Sequence, residues 1–346
     1  MSHVKAENDH DSGLASNRTT YVIGTRESQL AMVQTTHVKT LLETLHPTLT
    51  FEVKGMSTTG DNIQDVALSK IGSKSLFTKE LEVALHQKTV DLVVHSLKDL
   101  PTQLPPGMFL GAILERELPN DVVIMGLTHT FKKLADLPAG SVIGTSSVRR
   151  SAQLRRRYPS LMFQDIRGNL NTRLRKLDDA SSPFAALLLA YAGVHRLGWT
   201  DRISEILPTS TLLYAVGQGA IAVECREFDH EVKDLLKPLS HPATLITCTA
   251  EREFMRVLEG GCSVPLGVSS SISTDSTGVD MLNLTGSVTS LDGTVEIRHA
   301  VSMPMGVDSL DDRLVVAANI GQELAMVLTN QGAKAILDEI RHANNH

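Results

Sequence analysis

The chain has 346 residues, which is too long for one ordinary hydrophobic core and therefore predicts two or three domains. Apolar residues make up 42% of the chain and charged residues 21%, as is typical of a soluble globular protein. The net charge of -6 excludes a general electrostatic attraction to nucleic acid. A local basic cluster would therefore indicate a specific site more strongly here than in a basic protein.

The cysteines and the N-terminal segment indicate the cellular compartment of the protein. The three cysteines form no Cys-x-x-Cys pair and the histidines form no ligand-spaced set, so we expect neither a disulfide framework nor a metal site. Residues 1–19 lack the features of a signal or transit peptide and are predicted to be a disordered extension. The longest apolar run, residues 184–194, is too short to span a membrane. These features predict a cytoplasmic protein in a reducing compartment.

The first hundred residues alternate between predicted strands and helices. Residues 21–25, 51–56 and 90–94 have the apolar character of buried strands, and a helix is predicted after the first strand and again at 76–87. This β-α-β-α-β order predicts an α/β domain with mostly parallel strands. The polar segment 57–75 is predicted to be a long loop, of the kind that often forms a lid or a disordered segment.

A short repeat indicates a second domain of similar build. The sequence Val-Ile-Gly-Thr ends a predicted strand at 22–25 and again at 142–145, and both copies run into a polar turn and a helix. Because ligands bind outside the carboxyl ends of strands in open α/β sheets, both turns are predicted to line one cleft. From about residue 241 a helix, two alternating strands around 291–293 and a closing helical segment at 311–340 predict a smaller α+β domain.

The strongest chemical feature is a basic segment between residues 149 and 176. Arginine forks bind carboxylates and phosphates bidentately, and strand-to-helix turns also favour anions. Four of these arginines lie in or near polar turns and are predicted to bind a ligand: Arg149, Arg150, Arg167 and Arg173. The run at 155–157 is late in a helix and is predicted to form a solvated helix face. RNA binding is the alternative, but aromatic residues that could stack on bases are nearly absent here.

Two further segments offer reactive groups. Lys98 and Asp99 directly follow a predicted strand, and they form either an acid/base site or a surface turn without a role. A Gly-Gly pair precedes Cys262, which is either a flexible thiol nucleophile or a buried cysteine after a helix cap. Cys225 and Cys248 lie in strand and helix patterns and are predicted to pack in the core.

Eight segments, in the same order as in the family, resemble hydroxymethylbilane synthases (porphobilinogen deaminases). They are residues 24–31, 57–61, 74–80, 94–102, 144–150, 166–174, 215–219 and 258–265. The resemblance implies two α/β domains of the type II periplasmic-binding-protein kind around a cleft, plus a smaller α+β third domain. The implied boundaries are 20–116 with 217–240 for domain 1, 117–216 for domain 2 and 241–346 for domain 3.

The resemblance also implies a cofactor and a reaction. One dipyrromethane per chain would be attached as a thioether to Cys262. Four porphobilinogen molecules would then be condensed head to tail, with loss of ammonia at each step, before hydrolysis releases hydroxymethylbilane. Each pyrrole carries an acetate and a propionate, so the growing chain accumulates negative charge. This charge explains why an acidic protein would need a basic cleft.

The resemblance assigns roles to single residues. Asp99 is assigned to catalysis, where it would protonate the leaving amine and then stabilise the positive charge on the substrate. The residues expected to hold the cofactor are Lys98, Thr145, Ser146, Ser147, Arg149, Arg150, Arg173 and Gln218. The residues expected to hold the substrate are Arg26, Ser28, Gln34, Arg167 and Arg196. Tyr191 stands where relatives have a smaller residue, and it either narrows the cleft or points away.

Two other functions, a non-catalytic binding protein and a lyase, are alternatives to this one. A non-catalytic binding protein for an anionic solute would explain the two-domain cleft and the arginines, but not Asp99 or the Gly-Gly-Cys segment. A Schiff base on Lys98 would make the protein a lyase, and borohydride trapping would detect it. Because no apolar surface stripe is left unassigned, the protein is predicted to be a monomer, with neither a nucleic acid nor a membrane as partner.

Overall fold

The computed structural model describes residues 18–62, 78–258, 264–306 and 309–344, which form two five-stranded sheets and one three-stranded sheet. The first sheet, in domain 1, has the strand order β2-β1-β3-β10-β4. Its strands are β1 (Thr20–Arg26), β2 (Thr50–Met56), β3 (Leu92–Ser96), β4 (Met108–Ile113) and β10 (Ile221–Arg226). Its helices are α1 (Gln29–Leu45), α2 (Thr59–Asn62), α3 (Lys79–His86) and α7 (His230–Leu236).

The position of β10 between β3 and β4 shows that the chain leaves the sheet of domain 1 and later returns to it. Strands β1, β2 and β3 are parallel, whereas β10 lies antiparallel between β3 and β4. Helix α1 begins at Gln29 because the Ser28 side chain accepts the Ala31 N–H, and its apolar face packs on the sheet through Val38 and Leu42. The carboxyl ends of β1 and β3 therefore lie at one edge, where Arg26 and Ser96 end the two strands.

The second sheet, in domain 2, repeats this order as β7-β6-β8-β5-β9. Strands β6, β7 and β8 are parallel, and β5 lies antiparallel between β8 and β9. The strands are β5 (Asp121–Met125), β6 (Val142–Gly144), β7 (Met162–Gln164), β8 (Phe184–Ala190) and β9 (Glu205–Ile206). The helices are α4 (Val148–Arg157), α5 (Leu170–Asp178) and α6 (Tyr191–Arg196). The predicted pair of similar α/β domains is confirmed.

Two crossover segments, residues 114–120 and 207–220, carry the chain between the two sheets. They run side by side, since Leu114 N donates to Ile221 O at 3.0 Å and Glu117 N donates to Gly219 O at 3.3 Å. The apolar character of residues 214–224 predicts a strand. The strand begins only at Ile221, because Gly217 and Gly219 have φ angles of 70° and 93° and break the extended conformation before it.

Domain 3 is an antiparallel sheet of β11 (Leu266–Thr274), β12 (Asp280–Thr289) and β13 (Glu296–Pro304), packed on three helices. The helices are α8 (Pro242–Val257), α9 (Leu310–Asn330) and α10 (Ala333–Asn344). Strand β11 was not predicted, because its run of serines hides the alternation of apolar side chains. The closing segment is two helices rather than one, since Gly332 adopts a φ of 102° between them.

The turn between β12 and β13 rests on the C-terminal half of α4. Arg155 Nη1 donates to Leu291 O at 2.7 Å, and Arg156 Nη1 donates to Thr294 O at 2.9 Å. Arg156 and Arg157 are exposed, as predicted for a solvated helix face, and the side chains of Arg155 and Arg156 also contact domain 3. Their partners lie 136 and 138 residues further along the chain, which the local pattern does not reveal. This contact joins domain 3 to domain 2.

We expect Gly293→Ala to lower the free energy of unfolding more than Gly278→Ala does. Both glycines lie in turns of the domain 3 sheet with φ of +79° and +86°, so both alanines carry a similar left-handed strain of about 1–2 kcal/mol. A Cβ at Gly293 would also lie 2.7 Å from the Ala152 carbonyl oxygen, whereas at Gly278 nothing lies within 4 Å. Urea unfolding of the two variants measures the difference, and equal losses would contradict the docking of this turn on α4.

None of the helices in the described ranges is both long and apolar enough to cross a membrane. The predicted fold class, two similar α/β domains around a cleft with a smaller α+β domain, is confirmed. Residues 1–17, most of the predicted disordered extension, lie outside the described residues.

Candidate active site

A cavity of about 250 Å³ lies between domains 1 and 2. Its walls come from the carboxyl ends of β1, β3 and β8 and from the first turns of α1 and α5, as expected for open α/β sheets. The predicted site residues that line it are Arg26, Ser28, Gln34, Lys98, Asp99, Arg150, Arg167, Arg173 and Arg196. These residues are spread over 170 positions of the sequence, and the fold brings them to one place.

The cavity is strongly basic. Among the described residues that line it, the cationic side chains are Arg26, Lys98, Arg150, Arg167, Arg173 and Arg196, and the acidic one is Asp99. Charges of one sign on low-dielectric walls focus the field into the space between them. The cavity is therefore built for a ligand with several negative charges, with one carboxylate placed among the cations.

Burial lowers the pKa values of two of these cations, Lys98 and Arg173. Burial lowers the pKa of Lys98 to about 8, and Asp99 opposes this shift. Burial, together with the neighbouring charges of Arg150 and Arg167, lowers the pKa of Arg173 to about 10. Both shifts follow from positive charge held in a partly dehydrated space without enough counter-charge. A ligand carboxylate would supply that counter-charge.

Asp99 and Lys98 sit on a 3-10 turn, Leu97–Asp99, directly after β3. The Leu97 side chain is buried, and its N–H donates to Ala220 O at 3.0 Å. From domain 3, the Arg252 guanidinium donates to the carbonyl of Pro101 at 2.8 Å and, at longer range, to those of its two chain neighbours. This turn is therefore fixed from two sides, and Arg252 is a supporting residue that the sequence analysis missed.

The polar turn after β6 builds the start of α4 rather than the cavity wall. Ser147 caps the helix by accepting the Arg150 N–H, and Thr145 Oγ1 accepts the Ser147 N–H at 3.2 Å. The Ser146 hydroxyl donates to Ile166 O at 2.8 Å and accepts from Ile166 N at 3.1 Å. These three residues hold the turn that carries Arg149 and Arg150, and their direct contact with a cofactor stays a prediction.

A buried carboxylate that the sequence analysis missed holds both of these arginines. Asp121 is fully buried at the start of β5, and its two oxygens accept from Arg149 Nη1 and Arg150 Nη2, each at 2.7 Å. Gln218 Nε2 donates to the same carboxylate at 2.9 Å. Burial alone would raise the pKa of Asp121, but the two arginines hold it well below its usual value. The only sequence clue is an acid opening an otherwise apolar strand, Asp-Val-Val-Ile-Met.

Arg149, Arg150 and Gln218 were all predicted to bind the cofactor, and all three bind the Asp121 carboxylate. Arg150 lines the cavity as well as binding Asp121, so it can reach a ligand. The side chains of Arg149 and Gln218 bind Asp121 and nearby backbone carbonyls, and neither lines the cavity. Their assignment to the cofactor stays a prediction. Tyr191 also does not line the cavity, since its ring stacks on His195 at 5.6 Å.

Two parts of the predicted site lie outside the described residues. They are Cys262, the predicted attachment point of the cofactor, and residues 63–77, most of the predicted long loop. The described neighbours of Cys262 belong to domain 3, with α8 before it and β11 after it.

The fold and the cavity define a class of protein: two α/β domains with a basic cavity between them that suits a small polyanion, and with one carboxylate among the cations that line it. Residues 21–234 match the family model for porphobilinogen deaminase, dipyromethane cofactor binding domain, and residues 245–330 match the model for its C-terminal domain. The chain belongs to the porphobilinogen deaminase family.

Individual relatives agree with this assignment. The chain is 53% identical to porphobilinogen deaminase of Gloeobacter violaceus, over 93% of this chain and 94% of the relative. It is 52% identical to porphobilinogen deaminase of Synechococcus elongatus, over 92% and 94%. Among solved structures, an arginine transport periplasmic binding protein from Legionella pneumophila is similar at a TM-score of 0.38 and 11% identity, over 64% of this chain and 92% of that one. This last likeness is too low to add to the assignment.

The residues present fit the cofactor of this family. A dipyrromethane carries four carboxylates, because each of its two pyrroles bears an acetate and a propionate. Lys98, Arg150 and Arg173 offer their charges to one cavity, and Lys98 and Arg173 have lowered pKa values that an anionic ligand would relieve. All three residues lie within 21–234, the region that matches the family model for the cofactor-binding domain.

Proposed function

We propose that the protein is a hydroxymethylbilane synthase. It condenses four porphobilinogen molecules head to tail, with release of ammonia at each step, on a covalent dipyrromethane primer. Water then releases hydroxymethylbilane. The observation that carries this proposal is the position of Asp99 as the acid among six cations that line the cavity between domains 1 and 2.

Each group of residues has a distinct task in this proposal. Cys262 carries the cofactor, and Lys98, Arg150 and Arg173 bind its carboxylates from the cavity wall. When bound, the cofactor supplies the pyrrole carbon to which the first substrate is joined. Thr145, Ser146 and Ser147 keep the arginine-bearing turn in place. The carboxylates of the incoming porphobilinogen are bound by Arg26, Ser28, Gln34, Arg167 and Arg196.

Asp99 does the acid–base work in this proposal. Its carboxyl group protonates the aminomethyl nitrogen of porphobilinogen, so that the carbon–nitrogen bond breaks and ammonia leaves. The resulting carboxylate stabilises the positive charge that remains on the substrate pyrrole, and it then accepts the proton lost from the attacked ring carbon. The fixed 97–99 turn holds the carboxylate at one position through this sequence.

The low pKa of Lys98 makes cofactor capture dependent on pH. Burial lowers this pKa to about 8, so the ammonium group loses its charge as pH rises through that value. We expect apoprotein mixed with porphobilinogen to gain its cofactor more slowly above about pH 8, as followed by intact mass. Lys98→Arg stays charged, and titration of the substrate amine is common to both proteins. Equal pH dependence in the two proteins would contradict a role for the Lys98 charge.

The direct test of the proposed function is ammonia release. With porphobilinogen supplied in excess, one ammonia should appear for each molecule consumed, over many turnovers and with hydroxymethylbilane as the product. The competing function is a binding protein that uses the same cleft without chemistry. Saturable binding of porphobilinogen without ammonia release would favour that competitor.

We also propose that the protein acts as a cytoplasmic monomer that binds neither nucleic acid nor membrane. The net charge of -6 supports this, because an acidic protein is not attracted overall to polyanions such as nucleic acid or to an anionic membrane surface. Cys225 and Cys248 are free and buried, as a reducing compartment allows, and burial raises the pKa of both thiols to about 12. Sedimentation at several concentrations would reveal an oligomer.

A further inference from the structure

The side chain of Arg196 joins domain 2 to both crossover segments. Arg196 is the last residue of α6, its side chain is 8% exposed, and it lines the cavity. Its Nε donates to Glu117 Oε1 at 2.7 Å, and its Nη2 donates to Gly219 O at 2.6 Å. Glu117 lies on the first crossover segment and Gly219 on the second, so one guanidinium holds both connections between the domains.

The crossover segments approach each other closely at this point. A Cβ at Gly219 would lie 2.4 Å from the carbonyl oxygen of Glu117, and Gly219 has a φ of +93°. Only glycine fits such a position without displacing the neighbouring backbone. The hydrogen bonds of Arg196 are therefore made to a tightly packed pair of segments, which are the two connections between domains 1 and 2.

The Glu117 carboxylate is held from its other side as well. Its Oε2 lies 2.8 Å from His195 Nδ1, and the His195 ring stacks on Tyr191 with 12° between the ring planes. Two consecutive residues of α6, His195 and Arg196, thus bind the two oxygens of one carboxylate. Tyr191 supports this arrangement from the first turn of the same helix.

The same guanidinium can bind a ligand at the same time. A guanidinium has five N–H donors, and the two hydrogen bonds to Glu117 and Gly219 use two of them. Since Arg196 lines the cavity, its remaining donors are available to a carboxylate there. Burial lowers the pKa of Arg196 while Glu117 opposes the shift, so Glu117 supplies part of the counter-charge that this buried guanidinium requires.

We propose that Glu117 is a positioning residue that fixes Arg196 against the crossover segments, so that capture of a substrate carboxylate is coupled to the angle between domains 1 and 2. The inference rests on the proposed function for the identity of the substrate. Glu117 touches no reacting atom in this account. Its loss should weaken substrate capture and leave the chemistry at Asp99 intact.

The test compares Glu117→Gln with wild type in the holoenzyme. This substitution keeps the shape of the side chain but removes its charge, so KM for porphobilinogen should rise roughly 5-fold or more, as for a coupling of ordinary size, while kcat changes little. Asp178→Asn is the matched control, because Asp178 forms a bidentate ion pair with Arg202 in the same domain, away from the cavity. That variant should keep the wild-type KM.

A double-mutant cycle separates positioning from simple stabilisation. If Glu117 acts through Arg196, then Glu117→Gln should have no further effect on KM in an Arg196→Gln background. Additive effects, or an unchanged KM with a lowered melting temperature, would overturn the proposal.

Hydrogen exchange gives a readout that does not depend on turnover. Without substrate, residues 114–120 and 207–220 should exchange faster in Glu117→Gln than in wild type or in Asp178→Asn. Unchanged exchange would overturn the proposal even in a protein that binds porphobilinogen without consuming it. Absence of ammonia release from wild type would count against the proposed function alone.

Discussion

Replacing Asp99 with Asn is expected to lower kcat for porphobilinogen consumption roughly 10²- to 10⁴-fold, the usual contribution of a positioned general acid or base. Asparagine has the shape of aspartate but cannot donate a proton to the leaving amine or balance the positive charge that follows. The other charged residues that line the cavity are cations, so no described neighbour there can supply the negative charge that stabilises the substrate cation. Steady-state ammonia release measures the effect.

Two controls make the Asp99 result interpretable. Asp99 lies on a turn held by backbone and Arg252 contacts, so Asp99→Asn should unfold at the same temperature as wild type. Intact mass shows whether the variant carries the cofactor, so a loss of catalysis can be distinguished from a missing primer. A folded, cofactor-bearing variant with near-normal kcat would contradict the assigned role.

Replacing Asp121 with Asn is expected to have the largest effect on stability, about 3–5 kcal/mol, because it leaves Arg149 and Arg150 buried without a counter-charge. Asparagine keeps the size of the side chain, so the effect reports charge rather than a cavity. Trp199 is the single tryptophan and packs beside the buried core of domain 2, which places a fluorescence signal in the affected domain. Urea unfolding followed by this fluorescence measures the loss.

The effect of Asp121 has a defined dependence on pH. The folded-state pKa of Asp121 lies below its ordinary value of 3.8, so its stabilisation is present above that value and is lost as pH falls toward the folded-state pKa. Wild type and Asp121→Asn should therefore converge in acid. Glu43→Gln is the control, since the exposed pair of Lys39 and Glu43 should contribute only about 0.3–0.5 kcal/mol. Equal losses in the two variants would contradict the role of the buried network.

The architecture could be predicted from the sequence because it depends on local patterns. Buried strands, capped helices and the repeated Val-Ile-Gly-Thr motif each leave a mark within about twenty residues, and together they indicate two similar α/β domains. Strand β11 was not predicted because its serines hide the alternation of apolar side chains. The turns at Gly217 and Gly219 were not predicted because they occur in an otherwise apolar run.

The candidate site could be predicted only in part. Lys98, Asp99 and the arginines stand out as charges at strand ends, and the cavity contains most of them. Their supports do not stand out: Asp121, Glu117 and Arg252 each act through partners tens to more than a hundred residues away. An isolated charge in the sequence gives no sign of whether it faces a ligand or a buried counter-ion. Pairing between segments that are distant in the sequence decides that, and only the fold brings such segments together.

Domain 3 contacts both other domains next to the segments that form the site. Arg252 on α8 binds the carbonyls that follow the 97–99 turn, and the turn after β12 rests on α4, which carries Arg149 and Arg150. The same domain contains Cys262. In the proposed function, the domain that carries the cofactor is thus also in contact with the segment that presents the catalytic carboxylate and with the helix that presents the arginines.

The most direct test of the central claim is the intact mass of the purified protein before and after addition of porphobilinogen, measured beside Cys262→Ser. The account predicts that wild type exceeds the mass of its bare chain by two porphobilinogen molecules less two molecules of ammonia. Brief exposure to substrate should then add further single units to wild type. Cys262→Ser should show neither change. If wild type stays at the calculated mass of its bare chain after incubation with porphobilinogen, the proposed function is contradicted.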